Sequence, residues 1–248
     1  MLSEWFRRLS GNVLRVGMEC AYAPFNWTQT GEEVKNGDTA VKIYGGGGYA
    51  YGYDVMIAKK LADKLGMELE IHKVEWDSIG ISMDSGEYDC IIAGMGRTAE
   101  RQLSYSFTEP YYYRDNCIVV KKGSAIEKIT GLSQLAGKNV TATTQLGTGW
   151  VPLLNQIPDV KLGANYETTA EVFMALSNGT ADVAVIDVPT AESALLTNID
   201  LKAIPHNSKC AGCAGLALQV LRFFRQTIQR IRSVASQLWQ GTAPVKDF

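Results

Sequence analysis

Polar and aromatic side chains that could bind a small ligand follow the predicted strands of this sequence. Glu19 and Tyr22 come directly after the apolar run VLRV, within the segment GMECAYAPFNW at residues 17–27. The other residues of this kind follow later strand-like runs, and they are Trp76, Asp77, Gly94, Gly96, Thr98, Arg101, Gln145, Gly147, Thr148, Gly149 and Asp187. Because ligands of open α/β sheets bind beyond the carboxyl ends of the strands, we expect these residues to line one pocket.

The charges in this set suit the two ends of a free amino acid. Arg101 can bind a carboxylate through two parallel hydrogen bonds. The glycine-rich turn at 147–149 stands at the start of a predicted helix, so its backbone N–H groups can bind the same carboxylate. Asp187 can accept the α-ammonium group. The sequence therefore predicts a site for a zwitterion.

Three further residues could contact the ligand's side chain. Tyr22 and Trp76 can enclose an aliphatic or cationic chain, and each cation–π contact adds about 1–2 kcal/mol once water is excluded. Glu19 is a second anion, which can bind a basic side chain. These residue types favour a polar amino acid, with a cationic one preferred.

Each residue also has an explanation that involves no ligand. Arg101 could be an exposed helical residue beside Glu100, and Trp76 could belong to the core. Asp187 could cap the helix predicted by VPTAESALL, with Pro189 in its first turn. It is the recurrence of such residues at strand ends that favours a binding site.

Composition excludes several classes of protein. The chain has 248 residues, of which 46% are hydrophobic and 20% charged, and its net charge is -2. No global positive field therefore indicates a nucleic-acid partner. No apolar run approaches the roughly 18 residues of a spanning helix. The N-terminus lacks the apolar region of an intact secretory signal, so either a signal was removed or the chain stays in the cytoplasm.

The cysteines and glycines give no cofactor or metal motif. Cys90 and Cys117 lie in apolar strand-like runs and are predicted to be buried thiols. The CAGC at 210–213 has neither a second ligand pair nor a thioredoxin-like context, so we interpret it as incidental. The glycine run at 45–48 is not followed by GK[ST], so it is not a phosphate-binding loop. We expect no cofactor and no metal.

Strands and helices are predicted to alternate along most of the chain. The predicted strands are VLRVGM, LEIHKVE, YDCIIAG, NVTATT, VKLGANY and DVAVID. The predicted helices are YDVMIAKKLADKLG, WDSIGISMDSG, TAERQL, GTGWVPLLNQI, TAEVFMALSNG and PTAESALL. This rhythm is typical of an α/β fold with parallel sheets covered on both faces. Residues 28–52 lack a hydrophobic period and are interpreted as an inserted surface loop.

Three motifs give the sequence a resemblance to a known family. They are LRVGMECAYAPFNW…GYDVMIAKKLADKLG, GEYDCIIAGMGRTAERQLSYSFTEPYY and TTQLGTGWVPLL…VFMALSNGTADVAVIDVPTAESAL, in this order from residue 13 to about 205. The chain resembles extracytoplasmic solute-binding proteins of the polar amino-acid type, which serve ABC importers. The resemblance implies two Rossmann-like lobes joined by two crossover strands, a ligand cleft between them and hinge closure.

The resemblance also implies boundaries and residue roles. Lobe 1 would comprise 1–116 and 212–248, lobe 2 would comprise 117–211, and the crossovers would fall near 114–119 and 208–216. The implied ligand-binding residues are Glu19, Tyr22, Trp76, Gly94, Gly96, Thr98, Arg101, Gln145, Thr148, Gly149 and Asp187. Among them, Arg101, Thr148 and Gly149 would hold the carboxylate, and Asp187 and the Gly94 carbonyl the ammonium.

Specificity would come from the residues that face the side chain. Glu19 stands where relatives that take lysine, arginine or ornithine use an acid, although glutamine binders use one there too. Gln145 would be a second residue that contacts the ligand's side chain. Gly96 replaces a Ser or Thr of many relatives, so the hydroxyl bond to the carboxylate is lost or moves to a backbone N–H or to Thr98.

The C-terminus departs from the family's pattern. A helical apolar stripe is formed by Phe224, Ile228, Ile231, Ala235 and Leu238, and arginines lie elsewhere on the same segment. The segment could complete lobe 1, contact a membrane surface or a partner, or be a rearranged end.

The sequence therefore predicts a monomeric binder of a free L-amino acid that delivers it to a membrane ABC permease. By family resemblance it would work outside the cell membrane, in the periplasm or as a lipoprotein, after removal of a signal. A glutamine binder, the sensing domain of a receptor and a cyclohexadienyl-dehydratase-like enzyme remain alternatives. An enzyme would need a general acid, for which Glu19 or Asp187 could be proposed. Neither His72 nor His206 lies in a G-x-S-x-G context, which argues against a serine hydrolase.

Overall fold

The structure is a computed structural model that describes residues 12–205, 219–220, 234 and 237. Predictions for CAGC, His206, most of the second crossover and the C-terminal arginine-rich segment lie outside the described residues. The described strands are β1 (Val13–Met18), β2 (Ala21–Tyr22), β3 (Asn26–Gln29), β4 (Val41–Lys42), β5 (Tyr49–Tyr51), β6 (Glu68–Lys73), β7 (Cys90–Ile91), β8 (Ser106–Phe107), β9 (Asn116–Lys121), β10 (Thr141–Thr143), β11 (Lys161–Leu162), β12 (Val183–Asp187), β13 (Leu201–Pro205) and β14 (Gln219–Val220). The described α-helices are α1 (Tyr53–Leu65), α2 (Ile79–Asp84), α3 (Ala99–Ser104), α4 (Thr169–Asn178) and α5 (Val188–Leu195).

Two five-stranded sheets form the framework. The first has the strand order β6-β1-β7-β14-β8 and the second has the order β11-β10-β12-β9-β13. In the first sheet β1 runs parallel to β6 and β7, and in the second β10 runs parallel to β11 and β12. The carboxyl ends of these parallel strands are therefore the places where polar residues are expected to gather.

One strand in each sheet runs against the others, so the sheets are mixed and not purely parallel as the sequence predicts. β9 is antiparallel to β12 and β13, and β14 is antiparallel to β7 and β8. Each of them is the first described strand after the chain has passed from one sheet to the other. Residues 108–115, between β8 and β9, contain no crossover helix that would make β9 parallel, which explains its reversal.

The helices follow the sequence signals closely. α1 buries Ala58, Leu61, Ala62 and Leu65, and it ends at Gly66 in the left-handed conformation with φ 67°. Since glycine adopts this conformation without a steric penalty, the predicted stop is explained. α4 begins with a capping box between Thr168 and Glu171, and Gly179 ends it. These elements are confirmed as predicted.

Two predicted elements are wrong. Part of residues 28–52 is not a loop, because β3, β4 and β5 form a four-stranded antiparallel sheet with β2, in the order β2-β3-β5-β4. The segment 147–157 is not an α-helix but a 3-10 helix over Val151–Gln156. Pro152 lacks a donor N–H, and the bonds around it span three residues, such as Leu153 N–H to the Trp150 carbonyl at 2.9 Å.

None of the helices among the described residues combines the length and the apolar character that crossing a membrane requires.

Candidate functional site

A pocket lies between the ends of the two five-stranded sheets. Ten of the eleven predicted ligand-binding residues line it: Glu19, Tyr22, Trp76, Gly94, Gly96, Thr98, Arg101, Gln145, Thr148 and Gly149. The eleventh, Asp187, is buried behind the lining. The structure thus brings the predicted set together, while the contribution of each residue to binding stays a prediction.

Strand ends explain this gathering. Glu19 directly follows β1, and Trp76 opens a 3-10 helix three residues after β6. Gly94 follows β7, and Gln145 follows β10 across the pocket. The carboxyl ends of the parallel strands in both sheets therefore position these residues around one pocket, as expected for open α/β sheets.

Arg101 lies at the junction of the two halves. Its Nη1 donates to the Gly96 carbonyl at 3.0 Å, and its Nη2 donates to the Gly147 carbonyl at 3.2 Å, on the opposite side of the pocket. The guanidinium also lies over the Trp76 ring, 5.6 Å from its centroid. At its base, the Thr98 hydroxyl caps α3 by accepting the Arg101 N–H at 3.2 Å. Backbone and side chain contacts together hold this cation at the pocket.

Glu19 forms a second contact across the pocket. The side chain is 3% exposed, and its Oε1 accepts a hydrogen bond from Gln145 Nε2 at 2.8 Å. The same Nε2 donates to the Glu167 carbonyl at 2.8 Å. Burial raises the pKa of Glu19 to about 7, although the Gln145 hydrogen bond acts in the opposite direction. A positively charged ligand group would therefore favour the ionised form of Glu19.

Asp187 is fully buried, and it is the N-cap of α5. Its Oδ1 accepts the Thr190 N–H at 2.9 Å, which confirms the capping interpretation of this residue. Its Oδ2 accepts the Tyr22 hydroxyl and, at 3.1 Å, the Arg114 Nη1. Binding of an α-ammonium by Asp187 stays a prediction, and it would require a change in these contacts.

Three residues that line the pocket were not predicted from the sequence: Ala93, Arg114 and Trp150. The Arg114 guanidinium lies 5.2 Å from the centroid of the Trp150 ring and 5.8 Å from that of Tyr22. Arg114 precedes β9, at the point where the chain passes between the sheets, and no periodic pattern marks that point. Trp150 adjoins the glycine-rich turn, which could have signalled a pocket position.

A buried polar network supports the pocket from behind. Asp54, in the first turn of α1, accepts hydrogen bonds from Asn26 Nδ2 at 2.7 Å and from the Tyr111 hydroxyl at 2.6 Å. The Tyr111 hydroxyl in turn accepts the Gly94 N–H at 3.2 Å. Gly94 has φ 61°, and a Cβ there would lie 2.5 Å from a carbon of the Tyr22 ring. The network therefore fixes a turn that only glycine can occupy beside this ring.

We expect Tyr111→Phe to lower the free energy of unfolding by about 1–3 kcal/mol, because it removes the buried hydroxyl that donates to Asp54 and accepts the Gly94 N–H. Urea unfolding of the purified variant measures the change. Tyr113→Phe is the matched control, since the Tyr113 side chain is exposed. Equal losses in the two variants would contradict a stabilising role for the network.

No group of three or more His, Cys, Asp or Glu side chains within the described residues could hold a metal ion. Cys20, Cys90 and Cys117 are buried free thiols, which confirms the prediction for the last two.

Comparisons with known proteins agree with this geometry. The family described as "Bacterial extracellular solute-binding proteins, family 3" matches residues 14–204. The "Arginine-binding extracellular protein ArtP" of Bacillus subtilis (strain 168) is 28% identical over 212 residues, which cover 83% of this chain and 72% of that protein.

Solved structures show the same architecture. An arginine-bound ArgBP variant from T. maritima has a TM-score of 0.75 at 25% identity, covering 96% of this chain and 100% of that one. The ancestral amino acid-binding protein AncCDT-1, described as a precursor of cyclohexadienyl dehydratase, has a TM-score of 0.75 at 27% identity, covering 96% and 93%. The predicted α/β fold with two lobes and a cleft between them is confirmed, while most of the second crossover lies outside the described residues.

Proposed function

Because the chain belongs to the bacterial extracellular solute-binding proteins of family 3, we propose that it binds a free amino acid in the pocket between its lobes and delivers it to a membrane ABC permease. The lobes close about the hinge around the ligand, and the protein acts as a monomer outside the cell membrane. The name of the Bacillus subtilis relative, an arginine-binding protein, supports this ligand class.

Arg101 is the observation on which the proposal rests. Its guanidinium is held between the Gly96 and Gly147 carbonyls, and Thr148 and Gly149 line the pocket beside it. An α-carboxylate placed here would meet a planar double donor and the N–H groups of the turn at 147–149. The lobe boundaries at 116/117 and 211/212 belong to the same proposal.

The ligand's side chain is proposed to be cationic. Glu19 is the acid that lines the pocket, and Gln145 orients one of its oxygens. A lysine, arginine or ornithine side chain would pair with the other oxygen and keep the carboxylate ionised in its buried position. The aromatic rings of Tyr22 and Trp76 would then cover the aliphatic part of that side chain.

A thermal-shift screen against the twenty amino acids, ornithine and cystine tests the proposal. A ligand at a thousandfold its dissociation constant should stabilise the protein by about 4 kcal/mol. We expect the largest shifts with arginine, lysine and ornithine. A shift with glutamine alone would keep the amino-acid site and overturn the cationic preference, and a cooperative melt with no shift would contradict the amino-acid ligand.

An enzyme on the same fold is the second candidate. Glu19, with its pKa raised to about 7 by burial, has the property that a general acid needs, and AncCDT-1 is described as the precursor of an enzyme. We favour binding without catalysis, because Gln145 holds Glu19 across the pocket. Incubation of the same preparation with prephenate or arogenate decides between them, since turnover would assign Glu19 an acid function.

A further inference from the structure

We propose that Arg114 supplies, from within the chain, the cation that Asp187 binds, so that the pocket accepts its ligand's carboxylate and side chain without requiring an α-ammonium group. The ligand class is thereby extended from α-amino acids to their des-amino analogues. This inference rests on the proposed function, because it assumes that Arg101 holds the ligand's carboxylate.

The first step concerns Asp187. Its carboxylate already accepts three hydrogen bonds, from the Thr190 N–H, the Tyr22 hydroxyl and Arg114 Nη1. Asp187 is fully buried behind the pocket lining, and the two side chains that bind its Oδ2, Tyr22 and Arg114, both belong to that lining. An incoming ammonium could therefore reach this anion only by displacing Arg114 or Tyr22.

The second step concerns the anchoring of Arg114. Its side chain is 9% exposed and forms the ion pair with Asp187 at 3.1 Å. The guanidinium lies 5.2 Å from the Trp150 ring centroid and 5.8 Å from that of Tyr22, and it also donates to the Tyr22 hydroxyl. Guanidinium groups are weakly hydrated and stack well on aromatic rings, so the Arg114 guanidinium loses little hydration free energy when it is buried against these two rings. Displacement would break the ion pair and both ring contacts at once.

The third step concerns the balance of charges. Arg114 and Asp187 neutralise each other, which leaves Arg101 and Glu19 as the other charged side chains among the described residues that line the pocket. Their charges match a ligand with one carboxylate and one cationic group. An ω-amino or ω-guanidino acid fulfils this requirement without any α-ammonium group.

Isothermal titration of the full chain with paired ligands tests the inference. The pairs are L-arginine with 5-guanidinopentanoate, L-lysine with 6-aminohexanoate, L-ornithine with 5-aminopentanoate and L-glutamine with glutaramate. Within the pair that binds best, we expect dissociation constants that differ less than about fivefold, since the α-ammonium gains no buried anion. Wild-type protein suffices for this comparison, so it does not depend on the folding of a variant.

The variant Arg114→Gln adds a second measurement. It leaves Asp187 without its cation, so the ligand's α-ammonium should become the replacement and the preference for the amino acid should rise to about a hundredfold. Arg97→Gln is the control, because Arg97 lies outside the pocket lining and pairs with Glu109 at 3.9 Å. Its preference should equal that of the wild type.

The outcomes separate the inference from the proposed function. A wild-type preference for the L-amino acid of a hundredfold or more, unchanged in Arg114→Gln, would overturn the inference and leave the amino-acid site intact. Binding of a des-amino acid with comparable or higher affinity supports it. Failure of both members of every pair to bind would overturn the proposed function, and the inference with it.

Discussion

Replacement of Arg101 by alanine is expected to weaken amino-acid binding a hundredfold or more while the protein still folds cooperatively. The ligand's α-carboxylate would lose its bidentate partner inside a closed pocket, and an uncompensated buried charge costs about 3–5 kcal/mol. The backbone should be unaffected, because the contact that caps α3 uses the Arg101 N–H and the Thr98 hydroxyl. Titration calorimetry with the ligand found in the screen measures the loss.

Two further variants isolate the carboxylate from other effects of the side chain. Arg101→Lys keeps the charge but not the planar pair of donors, so it should recover only part of the affinity. Arg97→Ala removes a neighbouring arginine that is partly exposed and pairs with Glu109, and it should bind as the wild type does. Retention of wild-type affinity in Arg101→Ala would place the carboxylate elsewhere.

A change of ligand tests whether Arg101 binds the carboxylate or only favours closure of the lobes. Arg101 also joins the two lobes through the Gly147 carbonyl, so its removal could weaken binding by disfavouring closure. An α-carboxamide analogue of the ligand distinguishes the two causes. If Arg101 binds the carboxylate, the wild type should prefer the acid strongly, and Arg101→Ala should bind acid and amide about equally. A preference that survives in the variant would indicate an effect on closure alone.

Local rules of sequence account for much of the fold and for most of the pocket lining. The apolar spacing within α1 and the glycine after it predict that helix, and short range hydrogen bonds decide its end. Glu19, Gly94 and Gln145 could be placed together because the ends of parallel strands meet at one edge of a sheet. For these residues, a position shortly after a parallel strand in the sequence is enough to predict a position at the pocket.

The residues that escaped prediction depend on contacts distant in sequence. Asp54 looks like an ordinary acid in the first turn of a helix, yet it is buried between Asn26 and Tyr111, 57 positions away. Arg114 reaches Tyr22 over 92 positions and Asp187 over 73. Such positions are determined by the passage of the chain between the sheets, which has no hydrophobic period.

Glu19→Gln is expected to make the protein more stable at pH 8 and, at the same time, poorer at binding cationic ligands. Burial raises the pKa of Glu19 from 4.5 to about 7 in the folded protein. The folded state therefore holds a proton that the unfolded state releases between these values, and the stability that Glu19 contributes is lost as the pH rises from 4.5 to about 7. Above that range the buried carboxylate costs about 3 kcal/mol, which glutamine avoids.

Urea unfolding at two pH values measures the stability effect. The gain of Glu19→Gln over the wild type should approach about 3 kcal/mol at pH 8 and fall to about 1 kcal/mol at pH 5, where the folded wild type holds its proton and only the unfolded state is largely ionised. Glu68→Gln is the control, because Glu68 is exposed in β6 and should show no such pH dependence. An equal gain at both pH values would mean that the ionisation of Glu19 is not its source.

The affinity for cationic ligands should rise with pH, whereas the stability of the ligand-free protein should fall. The affinity of the wild type for arginine, lysine or ornithine should fall about tenfold between pH 8 and pH 6, since a carboxylate with a pKa near 7 is mostly protonated at the lower pH. Glu19→Gln should bind these ligands weakly and with no such pH dependence, whereas glutamine should be affected far less. Equal losses for basic ligands and glutamine would contradict the cationic preference. Glu19 therefore destabilises the ligand-free protein at high pH, and the positive charge of a bound ligand would offset this cost by pairing with the carboxylate. Such a loss of stability for the sake of binding is the trade-off expected of a binding site.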